Sequence, residues 1–183
     1  MDDLAQRRPP PMPAAEWLRM LPPAARWILH GGEAARALAA PVWGVGFSPA
    51  ACRAMLLGTR ATLWLGPDEY LLLDFAPGEG AAANALESAL AAEPHALVDV
   101  SHRQFAFEVS GQHAATILSA ACPLDLDAGE FPVGMCTRTV FAKADILLWR
   151  TAGDRFHVEV WRSFSDYVTG LLAEIARDYY PVG

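Results

Sequence analysis

The sequence predicts an α+β fold: an internally duplicated βαββ(β)α unit whose helices pack on one antiparallel-rich sheet or on two facing ones. Three observations predict it. The first is the stretch from Phe131 to Phe164, a Pro/Gly loop followed by a strand meander. Arg138–Phe141 and Asp145–Arg150 are rich in apolar and β-branched residues. Arg155–Val160 alternates strictly, with Phe156, Val158 and Val160 on one face and Arg155, His157 and Glu159 on the other. The second is a terminal apolar stripe at helical spacing: Phe164, Tyr167, Val168, Leu171, Leu172, Ile175 and Tyr179. The third is repetition, because the order strand, helix, strands, helix occurs twice. RWILHGGEAARALAAP from Arg26 resembles QFAFEVSGQHAATILSAACP from Gln104. LWLGPDEYLLL from Leu63 resembles LLWRTAGDRFHVEV from Leu147, which sets Asp68 and Tyr70 near Asp154 and Phe156.

Residues 1–13 are expected to be a disordered arm, since two Arg followed by three Pro neither nucleate a helix nor join a sheet centre. One α+β domain is expected over 14–183, as pseudo-repeats at about 24–93 and 96–180. Ala14–Leu21 reads as one or two helical turns with Trp17, Leu18 and Leu21 on a common side, stopped by Pro22-Pro23. A strand follows at Arg26–His30, then Gly31-Gly32 and an Ala-rich helix, Glu33–Ala40, ended by Pro41. Val42–Phe47 is an apolar, Gly-interrupted loop or irregular strand. Strands at Ala54–Leu57 and Arg60–Leu65 flank Gly58-Thr59, and Gly66-Pro67-Asp68 turns the chain into a third, Glu69–Phe75. After Pro77-Gly78, a helix from Glu79 to about Ala92 buries Ala82, Ala85, Leu86, Ala89 and Leu90.

The second half opens on a strand at Ala96–Val100. Gln104–Val109 then alternates with Phe105, Phe107 and Val109 inward, and Ser110-Gly111 starts a helix to about Ala121. Cys122–Asp127 is a loop. Thr151–Asp154 is a hairpin turn, Gly153 and Asp154 tolerating the positive φ it needs. The last helix runs from Ser163 to about Tyr179, with Ser163 as cap and Asp166 three residues on.

Composition narrows the function. No run reaches the roughly 18 apolar residues of a membrane span, and MDDLAQRRPPPMP has no apolar segment of a secretory signal. The three cysteines, Cys52, Cys122 and Cys136, are odd in number and form no C-x-x-C pair, which points to a reducing compartment. The formal net charge of −7 argues against nucleic acid as a partner. A cytoplasmic protein, off the membrane, is expected. Six Trp and eight Phe suit a permanent protein partner; a large aromatic core explains the same excess.

No catalytic constellation emerges from spacing. His30, His95, His102, His113 and His157 contain no H-x-H, H-x-x-x-H or H-E-x-x-H set, so a metal site is not expected. His157 reads as an exposed strand residue. Asp99, Ser101 and His102 offer triad residue types, but strand neighbours point to opposite faces. Cys136 in GMCTR lies close to a cation, which lowers a thiol pKa, yet a buried structural thiol is the plainer expectation. Gly44-x-Gly46 lacks the third Gly of a dinucleotide fingerprint. Arg138, Arg150 and Arg162 could form an anion or partner site; salt bridges to Asp145, Asp154 or Glu159 are the plainer expectation.

CPLDL from Cys122, FPVGMCTRT from Phe131, LLWR from Leu147 and WRSFSDY from Trp161 together resemble the gamma subunit family of heterotetrameric sarcosine oxidase, over about Arg26 to Tyr179. The resemblance implies a fold like the folate-binding domain of the glycine-cleavage aminomethyltransferase, in agreement with the repeat. It implies a chain without catalytic, cofactor-binding or metal residues, stabilising alpha and beta subunits that use FAD, NAD, FMN and tetrahydrofolate to demethylate sarcosine to glycine. A folate-binding or one-carbon-transfer module standing alone is the alternative. Family-motif or interface candidates are Pro132, Gly134, Arg138, Thr139, Trp149, Arg150, Arg162, Ser163, Phe164 and Tyr167. Self-association of the isolated chain stays open.

Overall fold

The computed structural model describes residues 15–76 and 81–180. The arm expected over 1–13 and the start of the helix expected at Glu79 lie outside the described residues. Within them the chain runs β1 (Leu18–Met20), β2 (Ala25–Gly31), α1 (Glu33–Trp43), β3 (Ala54–Leu57), β4 (Arg60–Gly66), β5 (Glu69–Asp74), α2 (Ala81–Leu90) and β6 (His95–Asp99). It continues with β7 (Gln104–Ser110), α3 (Ala114–Ser119), β8 (Cys136–Phe141), β9 (Ala144–Ala152), β10 (Arg155–Trp161), a 3-10 turn at Arg162–Phe164, and α4 (Ser165–Ala176).

The fold is α+β with two five-stranded sheets, β3-β4-β5-β2-β6 and β1-β7-β10-β9-β8. Read from opposite ends, the two orders correspond strand for strand. In each, three consecutive strands lie beside the strand that precedes their helix. They differ in the last edge strand: β6 follows α2, whereas the matching place beside β7 is taken by β1, from the front of the chain.

A first compact unit comprises Pro22–Ser101 with Gly134–Thr137. Its core joins Trp27 and Leu29 of β2, Tyr70 and Leu72 of β5, Ala35, Ala39 and Trp43 of α1, and Leu86 and Leu90 of α2. The helix α1 runs on past its expected stop, with Pro41 inside it and Gly44 closing it at φ 81, where the Gly44 N–H donates to the Ala40 carbonyl. Magnitudes explain the overrun. A proline inside a helix, which loses its N–H bond and crowds the preceding turn, costs about 3 kcal/mol, while burying a Trp ring removes roughly 150–250 Å² from water, about 4 kcal/mol or more. Trp43 is fully buried, meets Trp27 edge-on at 5.7 Å, and donates its Nε1–H to the Ala61 carbonyl at 3.2 Å.

The second compact unit consists of the described parts of Met1–Leu21, His102–Val133 and Arg138–Gly183. Here β10 lies between β7 and β9, antiparallel to both. Phe107, Val109, Phe156, Val158 and Val160 are buried, as are Ile117 and Leu118 of α3 and Val168 and Leu172 of α4. The helical turns expected around Trp17–Leu21 are instead strand β1, in register with β7 as Leu18↔Val109 and Met20↔Phe107. The edge of β7 supplies main-chain partners to a segment too short, before Pro22-Pro23, to complete helical bonds. Trp17 stacks flat on Tyr180 at 5.8 Å. The cap expected at Ser163 does not form, because that residue belongs to the 3-10 turn. Ser165 closes the turn, its hydroxyl donating to the Arg162 carbonyl at 2.8 Å.

Candidate functional site

The opening loop of the meander is held by one side chain. Arg150, on β9, is buried, and its guanidinium donates to the carbonyls of Leu126 (3.2 Å) and Phe131 (2.9 Å) and, through Nε, of Gly153 (3.1 Å); Nη2 also reaches Gly153. The Phe156 ring lies beneath it at 5.0 Å. The expected salt bridge to Asp145, Asp154 or Glu159 is thus absent at Arg150. A planar fork with five N–H donors suits carbonyls of a loop and a turn as well as it suits a carboxylate.

On β10 the alternation is as read, but both faces are buried. His157 and Glu159 are 3% and 0% exposed, and their Nε2 and Oε1 atoms stand 2.8 Å apart. Trp149, opposite His157 in the β9 register, sets its ring 5.7 Å away; its buried Nε1 has no hydrogen-bond partner among the described residues. The expectation of an exposed His157 is therefore corrected. Alternation assigns a residue to a face, and says nothing about what covers that face.

In the first unit, Cys136 is fully buried, and burial pushes its thiol up to about 12 against weaker lowering by the Trp64 carbonyl. It is a structural thiol, its Sγ donating to that carbonyl at 3.7 Å. The Asp99 carboxylate accepts the Ser101 N–H at 2.8 Å, and the Ser101 hydroxyl meets the main chain of Arg26, so these groups are spent on a turn and a strand end. A cleft of about 640 Å³ runs between α1 and the β4–β5 turn, with Arg36, Phe47, Trp64 and Tyr70 in its walls. No three His, Cys, Asp or Glu side chains converge as a metal set among the described residues.

The remaining sequence-predicted positions scatter. Gly134 holds φ 86, which favours glycine, and its carbonyl accepts the Ala54 N–H at 2.8 Å. Pro132 is half-buried and Arg138 exposed. Thr139 pairs loosely with Cys122 (Sγ to Oγ1, 3.8 Å). Arg162 lays its guanidinium 4.8 Å from the Phe105 ring centre. Ser163, Phe164 and Tyr167 are exposed. Two neighbours were missed by sequence reasoning, Trp161, also exposed, and Arg103, stacked on it at 4.5 Å. The aromatic excess was the signal that could have found them.

The sequence profile of the sarcosine oxidase, gamma subunit family matches residues 30–177. The sarcosine oxidase subunit gamma of Corynebacterium sp. (strain P-1) is 34% identical over 119 residues, 65% of this chain, and the chain spans only 58% of that relative's length. Among solved structures, a chain of the heterotetrameric sarcosine oxidase from Corynebacterium sp. U-96, in complex with pyrrole 2-carboxylate, superposes with a TM-score of 0.84 at 28% identity. That match covers 94% of this chain and 90% of the other. The glycine cleavage system aminomethyltransferase T from Bartonella henselae shares the fold, with a TM-score of 0.64 at 14% identity over 87% of this chain and 46% of that one. The chain belongs to the sarcosine oxidase gamma subunit family.

Proposed function

We propose that the chain serves as a non-catalytic gamma subunit of a heterotetrameric sarcosine oxidase, stabilising the assembly in which alpha and beta subunits demethylate sarcosine oxidatively to glycine. The observation that carries this reading is the near-complete mutual coverage with a chain of such an oxidase, 94% and 90%, at a TM-score of 0.84. The side-chain chemistry supports it. Arg150 and the Cys136 thiol are engaged with carbonyl groups of their own chain. On this reading the flavin, nicotinamide and folate chemistry resides in the partner subunits.

Co-expression with and without this chain tests the proposal. The alpha and beta subunits, purified alone, are expected to give an unstable assembly with reduced sarcosine oxidation, restored when this chain is added. Full assembly and turnover without it would refute the proposal. Calorimetric titration of the isolated chain with tetrahydrofolate provides the contrasting result, because binding at micromolar concentration would favour a folate module.

A further inference from the structure

Two of the three cysteines are brought face to face within the first compact unit. An isolated antiparallel bridge joins Arg53 to Met135. Two main-chain bonds flank it: the Ala54 N–H donates to the Gly134 carbonyl at 2.8 Å, and the Cys136 N–H donates to the Cys52 carbonyl at 3.0 Å. One residue outward from the bridge, Cys52 therefore stands directly opposite Cys136. The third thiol, Cys122, belongs to the second unit, where its Sγ pairs with the Thr139 hydroxyl at 3.8 Å.

Opposed residues of an antiparallel pair have Cα atoms about 4.5–5.5 Å apart, inside the roughly 4.4–6.8 Å that a disulfide spans. Their Cβ atoms stand about 4.5–5.5 Å apart, wider than the mean of about 3.8 Å in a relaxed disulfide. A bond between such a pair is strained, and a strained disulfide is easily reduced. The pair thus suits a reversible link and not a permanent staple. Cys52 carries a second mark. It is one of two non-glycine residues with positive φ among the described residues, at 57°. That backbone conformation is costly for a residue with a Cβ and collects at switch regions. The two sulfurs are also unlike. Cys136 is fully buried, and burial pushes its thiol up to about 12, Cys52 adding a smaller rise. Cys52 is only half-buried, so it is the sulfur that meets an oxidant first.

We propose that Cys52 and Cys136 are a reversible redox pair, whose disulfide fastens Gly134–Thr137 to the entry of β3 when a peroxide is present. The Cys52 thiolate attacks one oxygen of hydrogen peroxide. The O–O bond breaks, leaving a sulfenic acid and a hydroxide that takes up the proton released by the thiol. The Cys136 sulfur, on losing its proton, then attacks the Cys52 sulfur. The S–S bond forms, the S–O bond breaks, and the departing hydroxide leaves with that proton as water. Two electrons pass from the thiols to the peroxide, and two waters result. An oxidase that reduces dioxygen by two electrons makes this oxidant, so the subunit reading sets a source of it close by; the cross-link itself stands without that reading.

The test treats the full chain with hydrogen peroxide, as wild type and as Cys52→Ser, Cys136→Ala and Cys122→Ser. Thiol titration and peptide mass mapping without reductant identify the products. Wild type and Cys122→Ser are expected to give a Cys52–Cys136 link within one chain that dithiothreitol reverses. Amide exchange at Gly134–Thr137 is expected to slow in the linked chain. Cys136→Ala should stop at a sulfenic acid on Cys52, trapped by dimedone. Cys52→Ser should leave Cys136 reduced, and it serves as the readout if Cys136→Ala unfolds. A link through Cys122, a link only between two chains, or Cys52 oxidised to sulfinic acid with Cys136 still free would overturn the proposal. So would unchanged exchange at Gly134–Thr137 in the linked chain. None of these outcomes bears on the subunit reading, which co-expression decides.

Discussion

Arg150 converts three carbonyl oxygens of a loop and a turn into one fixed point. Arg150→Met keeps much of the volume and removes every donor. It is expected to cost about 2–4 kcal/mol, since charge-assisted bonds are worth more than neutral ones and the buried carbonyls lose their partner. Urea unfolding would measure that loss, and faster amide exchange in residues 126–131 would localise it. Cys136 gives a pH prediction. Its folded pKa of about 12 lies above the thiol's ordinary 9.0, so between those values the unfolded chain releases a proton the folded chain keeps. Stability therefore falls as pH rises through that window, and Cys136→Ala should fall less between pH 9 and 11. A buried structural thiol was the plainer reading of Cys136, and the side chain is fully buried. Arg150 was misread as an ion-pair partner, because Asp145 and Asp154 carry a sequence signal and main-chain carbonyls carry none.

Proline in α1 defines the element scale. Pro41 leaves the Ala37 carbonyl without its helical donor, yet Trp43 beyond it is fully buried. Pro41→Ala is expected to raise stability by about 1–3 kcal/mol, read as a higher thermal midpoint, because the helix already exists, gains a bond and loses the crowding of the ring. Periodicity made the element types legible from β2 onwards, β10 and α4 most plainly. Boundaries were less legible. Trp43 overrode a proline stop, and the pairing of Leu18–Met20 with β7 overrode an apparent helical stripe at Trp17, Leu18 and Leu21. Both are tertiary effects that local pattern does not contain. The patch at Trp161 was partly legible. WRSF marked the family, while exposure of Trp161 and its stacking on Arg103 depend on where β10 ends.

The duplication governs the whole molecule. Both sheets obey one strand order, which is why the repeat could be read from RWIL and QFAF. The edge strand of the second unit could not be assigned that way, since it lies far from the repeat it completes. Removing residues 1–21 deletes β1 together with Trp17 and Leu18, which are 8% and 2% exposed. The truncated chain is expected to lose about 3–5 kcal/mol, by analogy with large core truncations, and to aggregate through the bared β7 edge. Denaturant unfolding and light scattering would show both.

The placement of β1 also bears on how the chain is made. Strands β2 to β6 can pair with one another as they leave the ribosome. Leu18–Met20 emerges before any of them and meets β7 only after the first unit's long segment, Pro22–Ser101, has followed. Among the described strands, β1 therefore leaves the ribosome well before its partner, and the second sheet is complete only once β7 has followed.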